Sequence, residues 1–368
     1  MEVKFLDLRA VTALHLQEYL DAVHRVAESG WYLQGENIAA FEAAYAAYTG
    51  TRHCVTVANG LDALRLILRG YLELGVMAAG DEVIVPSNTY IATILAISEN
   101  GLAPVLVEPT PQGLELDEDK VEAAVSPRTR AVMTVHLYGR LAYSDKLGSI
   151  CRRHGLLLLE DCAQSHGCAY KGVRTGALGA AAAHSFYPGK NLGAFGDAGA
   201  VTTDDAQLAE AIRALANYGS QRKYVFKYKG VNSRMSEMDA AVLCVKLGHL
   251  DDDNRRRARI AARYYAGIDN PLVELPTRLP DENNVYHLFP VLSPHRDALQ
   301  RHLSAAGVQT LIHYPIPPHK QECYREWNLR SYPVSEGIHA RELSLPMSPA
   351  LSTAEADYVI EKVNSFRI

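Results

Sequence analysis

One lysine lies in a stretch of sequence that could make its amine reactive. Lys190 follows an aromatic pair and a Pro-Gly dipeptide (residues 186–189), and glycines follow it at positions 193, 196 and 199. The apolar run 200–203 then predicts a strand, so the lysine would lie in a tight turn between two apolar strands. Burial in such a turn lowers the pKa of a lysine and makes its amine a nucleophile. From this stretch alone, an ordinary solvated lysine on a surface hairpin is an equally good interpretation.

The chain before this turn alternates between predicted strands and predicted helices. Helical patterns separate the predicted strands, which cover residues 53–57, 82–85, 104–107, 131–136 and 156–160. Such alternation is typical of βαβ units, and it predicts a mostly parallel sheet with helices on both faces. Because ligands of these sheets bind at the carboxyl ends of the strands, the residues that follow each predicted strand are the candidates for a binding site.

Polar and aromatic residues follow three of these predicted strands. Asp161 is a carboxylate that could pair with a protonated ring nitrogen. The segment Asn59-Gly60-Leu61 opens a predicted helix, and the first amides of a helix suit a phosphate dianion. Tyr90 offers a flat ring for stacking, and Lys190 offers an amine for covalent attachment. These are the groups that pyridoxal phosphate needs, so the sequence predicts one crevice that binds this cofactor.

The remainder of the chain predicts helices and a second, smaller unit. Apolar spacing indicates one helix over residues 11–29 and a long helix over residues 236–268. Strands are predicted at 285–292 and 309–313, and a capping box at 352–355 begins the last helix. This part of the sequence therefore predicts a smaller C-terminal α+β domain.

The overall composition argues against several other classes of protein. The net charge of −5 does not favour a general nucleic-acid-binding protein. No signal peptide or membrane-spanning stretch is predicted, and the six scattered cysteines are expected to be reduced thiols in the cytoplasm. Cys162 and Cys168 flank His166, but this spacing matches no usual zinc pattern, so no metal site is predicted and His166 is interpreted as a packed residue.

Four segments give the chain a resemblance to a known family over nearly its whole length. They are Gly80–Pro86, Glu160–Gln164, Ser185–Lys190 and Asn232–Met235. The chain resembles the DegT/DnrJ/EryC1/StrS-type sugar aminotransferases, a fold-type-I group of pyridoxal-phosphate enzymes that act on nucleotide-linked keto sugars. The resemblance implies an α/β fold with a large cofactor-binding domain (residues 1–250) and a smaller C-terminal α+β domain (residues 251–368). The large domain would contain a mostly parallel seven-stranded sheet between helices.

The resemblance also implies a role for each residue of the crevice. Lys190 would be the catalytic Schiff-base lysine, and Asp161 would pair with the ring nitrogen of pyridoxal 5'-phosphate. The other implied cofactor contacts are Gln164 to the phenolic oxygen, Tyr90 to the ring face, and Ser185, Gly60 and Leu61 to the phosphate, with Asn232 contributed by a second subunit. The protein would therefore be a homodimer with shared active sites.

One segment departs from the family pattern. Many members carry Ser-Gly-Thr where this chain has Asn59-Gly60-Leu61. The threonine hydroxyl is lost here, so the phosphate would depend more on backbone amides and on Ser185.

The residues around the lysine indicate which carbon of the sugar receives the amine. Members of the family that aminate C4 commonly read Ser-Phe-His near the lysine and Gly-Glu-Gly-Gly after it. The segments 186–194 and 196–199 instead resemble enzymes that aminate C3 of dTDP-3-keto-6-deoxyhexoses. In that subgroup the sugar pocket is lined by residues that match Tyr187, His313 and Tyr314, with Lys223 from the other subunit.

The reaction implied by this resemblance uses glutamate as the amino donor. It would give a dTDP-3-amino-3,6-dideoxyhexose for glycan or antibiotic-sugar biosynthesis. Two alternatives stay open from the sequence, namely a C4 aminotransferase acting on a dTDP- or UDP-4-keto sugar and a non-catalytic regulator with the cofactor-binding fold.

Overall fold

A computed structural model describes all 368 residues of the chain. The helices are α1 (Leu8–Ala13), α2 (Leu16–Ser29), α3 (Glu36–Thr49), α4 (Gly60–Glu73), α5 (Ile91–Glu99), α6 (Glu118–Ala123), α7 (Asp145–His154), α8 (Ala206–Ala216), α9 (Glu237–Gly267), α10 (Arg296–Ala305), α11 (Pro333–Arg341) and α12 (Thr353–Ser365). The strands are β1 (His53–Val57), β2 (Glu82–Pro86), β3 (Ala103–Val107), β4 (Thr129–Val135), β5 (Leu157–Asp161), β6 (Ala169–Tyr170), β7 (Val173–Arg174), β8 (Ala181–Ser185), β9 (Gly199–Thr203), β10 (Ser220–Arg222), β11 (Val225–Phe226), β12 (Phe289–Leu292) and β13 (Glu342–Leu345).

Seven strands form one large sheet in the order β1-β9-β8-β5-β4-β2-β3. The pairs within β3-β2-β4-β5-β8 are parallel, whereas β9 is antiparallel to both of its neighbours. Six strands therefore end at the same edge, and β9 begins there. This arrangement confirms the predicted mostly parallel, seven-stranded sheet and brings the loops that follow β1, β2, β4, β5 and β8 together.

Apolar residues cover both faces of this sheet. Along β2, Val83 and Val85 pack into a cluster with α4, α5 and α8, while Ile84 packs on the other face with α6 and α7. On that second face, α3 and α9 cover β1, β8 and β9 through residues such as Phe41 and Leu243. Strands that are buried on both faces are typical of sheets enclosed between two layers of helices.

The C-terminal part of the chain forms a separate apolar cluster. This cluster contains residues of the small sheet of β12 and β13, of α10 and α12, and of the second half of α9. Val3 from the N-terminus also packs into it. Helix α9 belongs to both cores, since Leu250 packs near the large sheet and Ile260 packs in the C-terminal cluster. The division between residues 250 and 251 therefore falls inside a continuous helix, and it stays a prediction.

Three of the predicted elements differ from the structure. The predicted strand 285–292 is shorter, because β12 covers only Phe289–Leu292. The predicted helix 11–29 is interrupted by a turn at Leu14 and His15, so that α1 and α2 are separate. The predicted strand 309–313 is wrong, because this segment makes only an isolated bridge between Leu311 and Ser344. The backbone amide of His313 donates instead to a side chain, that of Glu342. None of the helices combines the length and apolar character needed to cross a membrane.

A buried carboxylate holds together the segment between β5 and β8. Glu160 lies in β5, and its side chain accepts hydrogen bonds from the backbone amides of Gly176, Leu178 and Gly179 at 2.8–3.1 Å. Its Oε2 also contacts Nε2 of His136 at 3.0 Å. Side chains alternate in direction along a strand, so this anchor fixes the orientation of the next residue, Asp161.

We expect Glu160→Ala to lower the free energy of unfolding by about 3 kcal/mol, because it leaves several buried donors without an acceptor. Urea denaturation followed by circular dichroism measures the change. Asp145→Ala is the control, since Asp145 forms an ion pair with Lys171 in which both side chains are exposed, and we expect little change from its loss. A Glu160→Ala protein as stable as the control would contradict the anchoring role.

Candidate active site

The carboxyl edge of the large sheet forms one wall of a cavity of about 1610 Å³. Residues that follow β1, β2, β4, β5 and β8 line it, and residues 308–314 of the C-terminal part close the opposite side. Ten of the twelve residues predicted for the site line this cavity, and the two exceptions are Asn232 and Lys223.

Lys190 lies in a turn that two backbone hydrogen bonds close. Its amide donates to the carbonyl of Tyr187 at 2.8 Å, and the amide of Ala194 donates to the carbonyl of Phe186 at 2.7 Å. Burial lowers the pKa of the Lys190 amine to about 8, and the nearby Asp161 carboxylate opposes this shift. At pH 7 roughly a tenth of the amine is therefore neutral and nucleophilic, far more than for an ordinary lysine. The position of Lys190 in the cavity lining argues against a solvated hairpin lysine.

Asp161 ends β5 and is buried at the base of the cavity. Its Oδ2 accepts a hydrogen bond from the hydroxyl of Thr93 at 2.8 Å, and its Oδ1 accepts one from the amide of Ala163 at 3.1 Å. Burial raises the pKa of this carboxyl, and these two hydrogen bonds and the charge of Lys190 oppose the rise. Thr93 and the amide of Ala163 therefore hold the carboxylate in one orientation, in which it can pair with a cationic ring nitrogen.

Thr93 is a site residue that the sequence analysis missed. Its hydroxyl also lies 2.9 Å from that of Thr89, so the two threonines form a pair beneath Asp161. Their spacing of four residues, directly after a predicted strand, is the only sequence signal that could have indicated them.

The N-terminus of α4 forms a cradle beside Ser185. Asn59 caps this helix, with its Oδ1 accepting from the amide of Asp62 at 2.9 Å, and the amides of Gly60 and Leu61 have no partner within the helix. A Cβ atom at position 60 would lie 2.5 Å from Cβ of Ser185, so only glycine allows this close approach. Two helix amides and a serine hydroxyl thus converge in the way that a phosphate requires.

Three further side chains line the cavity above Asp161. The Oε1 of Gln164 accepts from the amide of Tyr138 at 2.6 Å, and its Nε2 donates to the hydroxyl of Tyr314 at 3.2 Å. The ring of Tyr314 lies 4.9 Å from that of Tyr90, which is half exposed towards the cavity. Gln164 is thus fixed at both ends, and Tyr90 is free to contact a flat ligand.

His313 is the most closely constrained of the predicted sugar-binding residues. Its Nδ1 lies 2.9 Å from the hydroxyl of Ser344, and its carbonyl accepts from the hydroxyl of Tyr138 at 2.7 Å. Burial, together with the charge of Lys190, lowers the pKa of His313 to about 4, so the ring is neutral near neutral pH. Tyr187 also lines the cavity, but more than half of its surface is exposed.

Within one chain, two predicted residues lie away from the cavity. Lys223 lies on the exposed hairpin of β10 and β11, where its amine is 5.3 Å from the ring centre of Tyr224. Asn232 is exposed and forms an isolated bridge with Asn217. The resemblance assigned both residues to the site of a second subunit, so these roles stay predictions.

The donors around the cavity fit pyridoxal phosphate. An oriented carboxylate, an amine of lowered pKa and a cradle of free amides suit the ring nitrogen, the aldehyde and the phosphate, respectively. His166 does not line the cavity, and its ring packs 5.5 Å from that of Phe186, as expected for a packed residue. The fold and the cavity together fit a pyridoxal-phosphate-dependent enzyme.

Comparison with known proteins gives the family. A model of the DegT/DnrJ/EryC1/StrS aminotransferase family matches residues 15–364. The chain is 52% identical over 364 residues to a dTDP-3-amino-3,6-dideoxy-alpha-D-galactopyranose transaminase of Aneurinibacillus thermoaerophilus, with 99% of each chain covered. It is 49% identical over 367 residues to a dTDP-3-amino-3,4,6-trideoxy-alpha-D-glucose transaminase of Streptomyces venezuelae, with 99% of this chain and 96% of the relative covered.

A solved structure agrees with these matches. The crystal structure of S. venezuelae DesV in complex with a ketimine intermediate superposes with a TM-score of 0.95 at 49% identity, covering 99% of this chain and 98% of that chain. The protein belongs to the DegT/DnrJ/EryC1/StrS aminotransferase family. It is a sugar aminotransferase that uses pyridoxal 5'-phosphate, which confirms the family, fold class, cofactor and enzyme class predicted from the sequence.

We expect the Lys190 amine of the cofactor-free protein to titrate near pH 8, because burial lowers its pKa to about 8. Modification by an amine-reactive anhydride, followed across pH by mass spectrometry, measures this value. Asp161→Asn should lower the pKa of Lys190 further, since the carboxylate that favours its charged form is removed.

Exposed Lys171 is the internal reference, because its hydrogen bond to Asp145 raises its pKa above the usual value. Asp145→Asn is the matched control variant, and it should leave the titration of Lys190 unchanged. Titration of Lys190 together with Lys171 would show that its amine is solvated.

Proposed function

We propose that this protein transfers an amino group from glutamate to C3 of a dTDP-3-keto-6-deoxyhexose and so forms a dTDP-3-amino-3,6-dideoxyhexose. The observation that carries the proposal is the single cavity in which Lys190 and Asp161 lie opposite the polar side chains of His313 and Tyr314. Two relatives at about half identity, both named as transaminases of dTDP-3-amino sugars, support the position of the amine and the nucleotide.

Lys190 has two tasks in this reaction. Pyridoxal phosphate, when bound, supplies an electron sink that stabilises negative charge on the carbon next to the transferred nitrogen. The neutral amine of Lys190 would hold the cofactor through its aldehyde. Once displaced, the same amine takes a proton from the amino acid, and in the second half of the reaction it delivers a proton to C3 of the sugar.

The other residues of the cavity hold the cofactor in place. Asp161, oriented by Thr93, would pair with the ring nitrogen and keep it protonated. Gln164 would hold the phenolic oxygen, and Tyr90 would contact the face of the ring. The amides of Gly60 and Leu61, the hydroxyl of Ser185 and Asn232 of a second subunit would hold the phosphate.

Neutral hydrogen-bonding groups and one cationic group recognise the nucleotide-linked sugar. Tyr187, His313 and Tyr314 present hydroxyl and imidazole groups that suit the hydroxyls of a hexose, and Lys223 of a second subunit supplies a positive charge. An amino-acid substrate alone would instead favour a guanidinium that binds a carboxylate in two places.

We propose a homodimer with shared sites, because the resemblance assigns Lys223 and Asn232 to the cavity of a second subunit and both lie away from the cavity of their own chain. The hairpin that carries Lys223 exposes the apolar side chains of Tyr224, Val225 and Phe226. Exposed apolar groups clustered on a short hairpin are typical of a contact surface. The proposed location is the cytoplasm, where the six free thiols, four of them buried, would stay reduced.

The reaction is tested by incubating the protein with glutamate and a panel of dTDP-3-keto and 4-keto sugars, followed by mass spectrometry and NMR of the products. We expect an amino group at C3 only. Lys190→Ala should still bind pyridoxal phosphate non-covalently and should form no product, whereas Lys171→Ala is the control for loss of an exposed lysine. Amination at C4, or turnover by Lys190→Ala, would contradict the proposal.

Shared active sites predict that two defective variants restore each other. In a mixed dimer of Lys190→Ala and Lys223→Ala chains, one site carries both changes and the other carries neither. With random pairing, about a quarter of the wild-type number of sites should be intact. The measurement is amino-sugar formation after the two chains are co-expressed. Activity no higher than that of the better single variant would show that each site is built from one chain.

A further inference from the structure

Behind His313, two residues of β13 form a hydrogen-bonded chain that leads away from the cavity. The Nδ1 atom of His313 lies 2.9 Å from Oγ of Ser344, and this hydroxyl lies 2.5 Å from Oε1 of Glu342. The other carboxyl oxygen, Oε2, accepts from the backbone amide of His313 at 2.5 Å. Nε2 of His313 has no hydrogen bond within the protein, and the residue lines the cavity.

The surroundings of Glu342 favour its neutral form. The side chain is fully buried, and burial raises its pKa to about 8, although Ser344, the amide of His313 and the charge of Arg296 on α10 oppose the rise. The remaining titratable groups that face it from neighbouring segments are the uncharged hydroxyls of Tyr138 and Tyr314. His339 on α11 binds the carbonyl of Tyr314 through Nδ1, and burial lowers its pKa to about 4.

We propose that Glu342 and Ser344 are positioning residues that decide which nitrogen of His313 carries its hydrogen, and therefore whether His313 donates a hydrogen bond to the bound sugar or accepts one. The proposal rests on the proposed function only in taking a keto sugar as the ligand of His313. The chain Glu342–Ser344–His313 is called the relay below.

The relay has two states that differ by one proton. With Glu342 ionised, Ser344 donates to Glu342, Nδ1–H of His313 donates to Ser344, and Nε2 is a bare acceptor in the cavity. On protonation, Nε2 takes one proton from the cavity, the Nδ1 proton passes to Ser344, and the Ser344 proton passes to Oε1 of Glu342. Nε2–H is then a donor, and no other bond changes.

The two states suit different sugar groups. A ketone oxygen can only accept a hydrogen bond, whereas a hydroxyl can donate or accept. The protonated relay therefore suits a keto sugar, and the ionised relay loses the bond to the ketone. Because the pKa of Glu342 is raised, the donor state is present below about pH 8 and is lost above it. The KM for the keto sugar should rise at high pH, while kcat should change less.

Variants of the relay test this inference in the holoenzyme. In Glu342→Gln, the amide donates permanently to Ser344, so the KM for the keto sugar should stay low across pH 8. In Ser344→Ala the relay is broken, and KM should rise about fivefold and lose this pH dependence, as expected for one hydrogen bond. Ser344→Thr keeps the hydroxyl and should restore the wild-type profile.

Ser348→Ala is the matched control, because Ser348 is also buried near β13 but takes no part in the relay. An unchanged pH dependence of KM in both Glu342→Gln and Ser344→Ala would overturn the proposal.

A second measurement does not depend on turnover. In holoenzyme labelled with nitrogen-15 histidine, long-range proton–nitrogen NMR spectra report the tautomer of each ring, and His313→Asn identifies the signals of His313. We expect Nε2–H below about pH 8, Nδ1–H above it, and Nε2–H at every pH in Glu342→Gln. A His313 tautomer that never changes in the wild type would overturn the relay. If no dTDP-3-keto sugar is converted, the proposed function fails, and this spectrum still decides the relay.

Discussion

The active site depends on two buried groups of opposite charge at one edge of the sheet. Burial acts on both, since it lowers the pKa of Lys190 and raises that of Asp161, while each charge opposes the shift of the other. Their mutual attraction partly offsets the cost of burying the two charges, while the pKa of the amine stays lowered. The sheet, the anchor at Glu160 and the cradle at α4 all serve to hold these two groups at fixed positions.

The opposing direction of β9 explains how the lysine reaches that edge. The chain leaves the sheet at the end of β8, forms the Lys190 turn and returns antiparallel through β9, with Gly199 packed against the backbone of Asn59. One reversal thus places the lysine turn next to the N-terminus of α4. A further parallel connection would have carried the chain across the sheet and away from the site before it returned.

Sequence patterns predicted the parts of the site that depend on local order along the chain. The strand end at Asp161 could be read from alternating elements, and Ser185 and the residues of the lysine turn carried the resemblance to the family. Contacts between distant segments could not be read in this way. Thr93 orients Asp161 from 68 positions away, and Glu342 draws the amide of His313 out of the strand that its apolar neighbours predicted. A side chain that takes a backbone amide from a strand, as Glu342 does, leaves no periodic pattern in the sequence.

Helix α9 fixes the orientation of the C-terminal part relative to the large sheet, because one continuous helix packs into both. It runs unbroken for 31 residues, and its two halves pack into different cores, one against the large sheet and one against the part that carries His313. Each residue of an α-helix turns the next by about 100°. Inserting or deleting one residue near Leu250 would rotate Ile260 and Tyr264 away from their cluster. The C-terminal part, which carries His313 in the cavity lining, would then rotate relative to the large sheet. Loops of this fold can change in length, but the central span of α9 cannot.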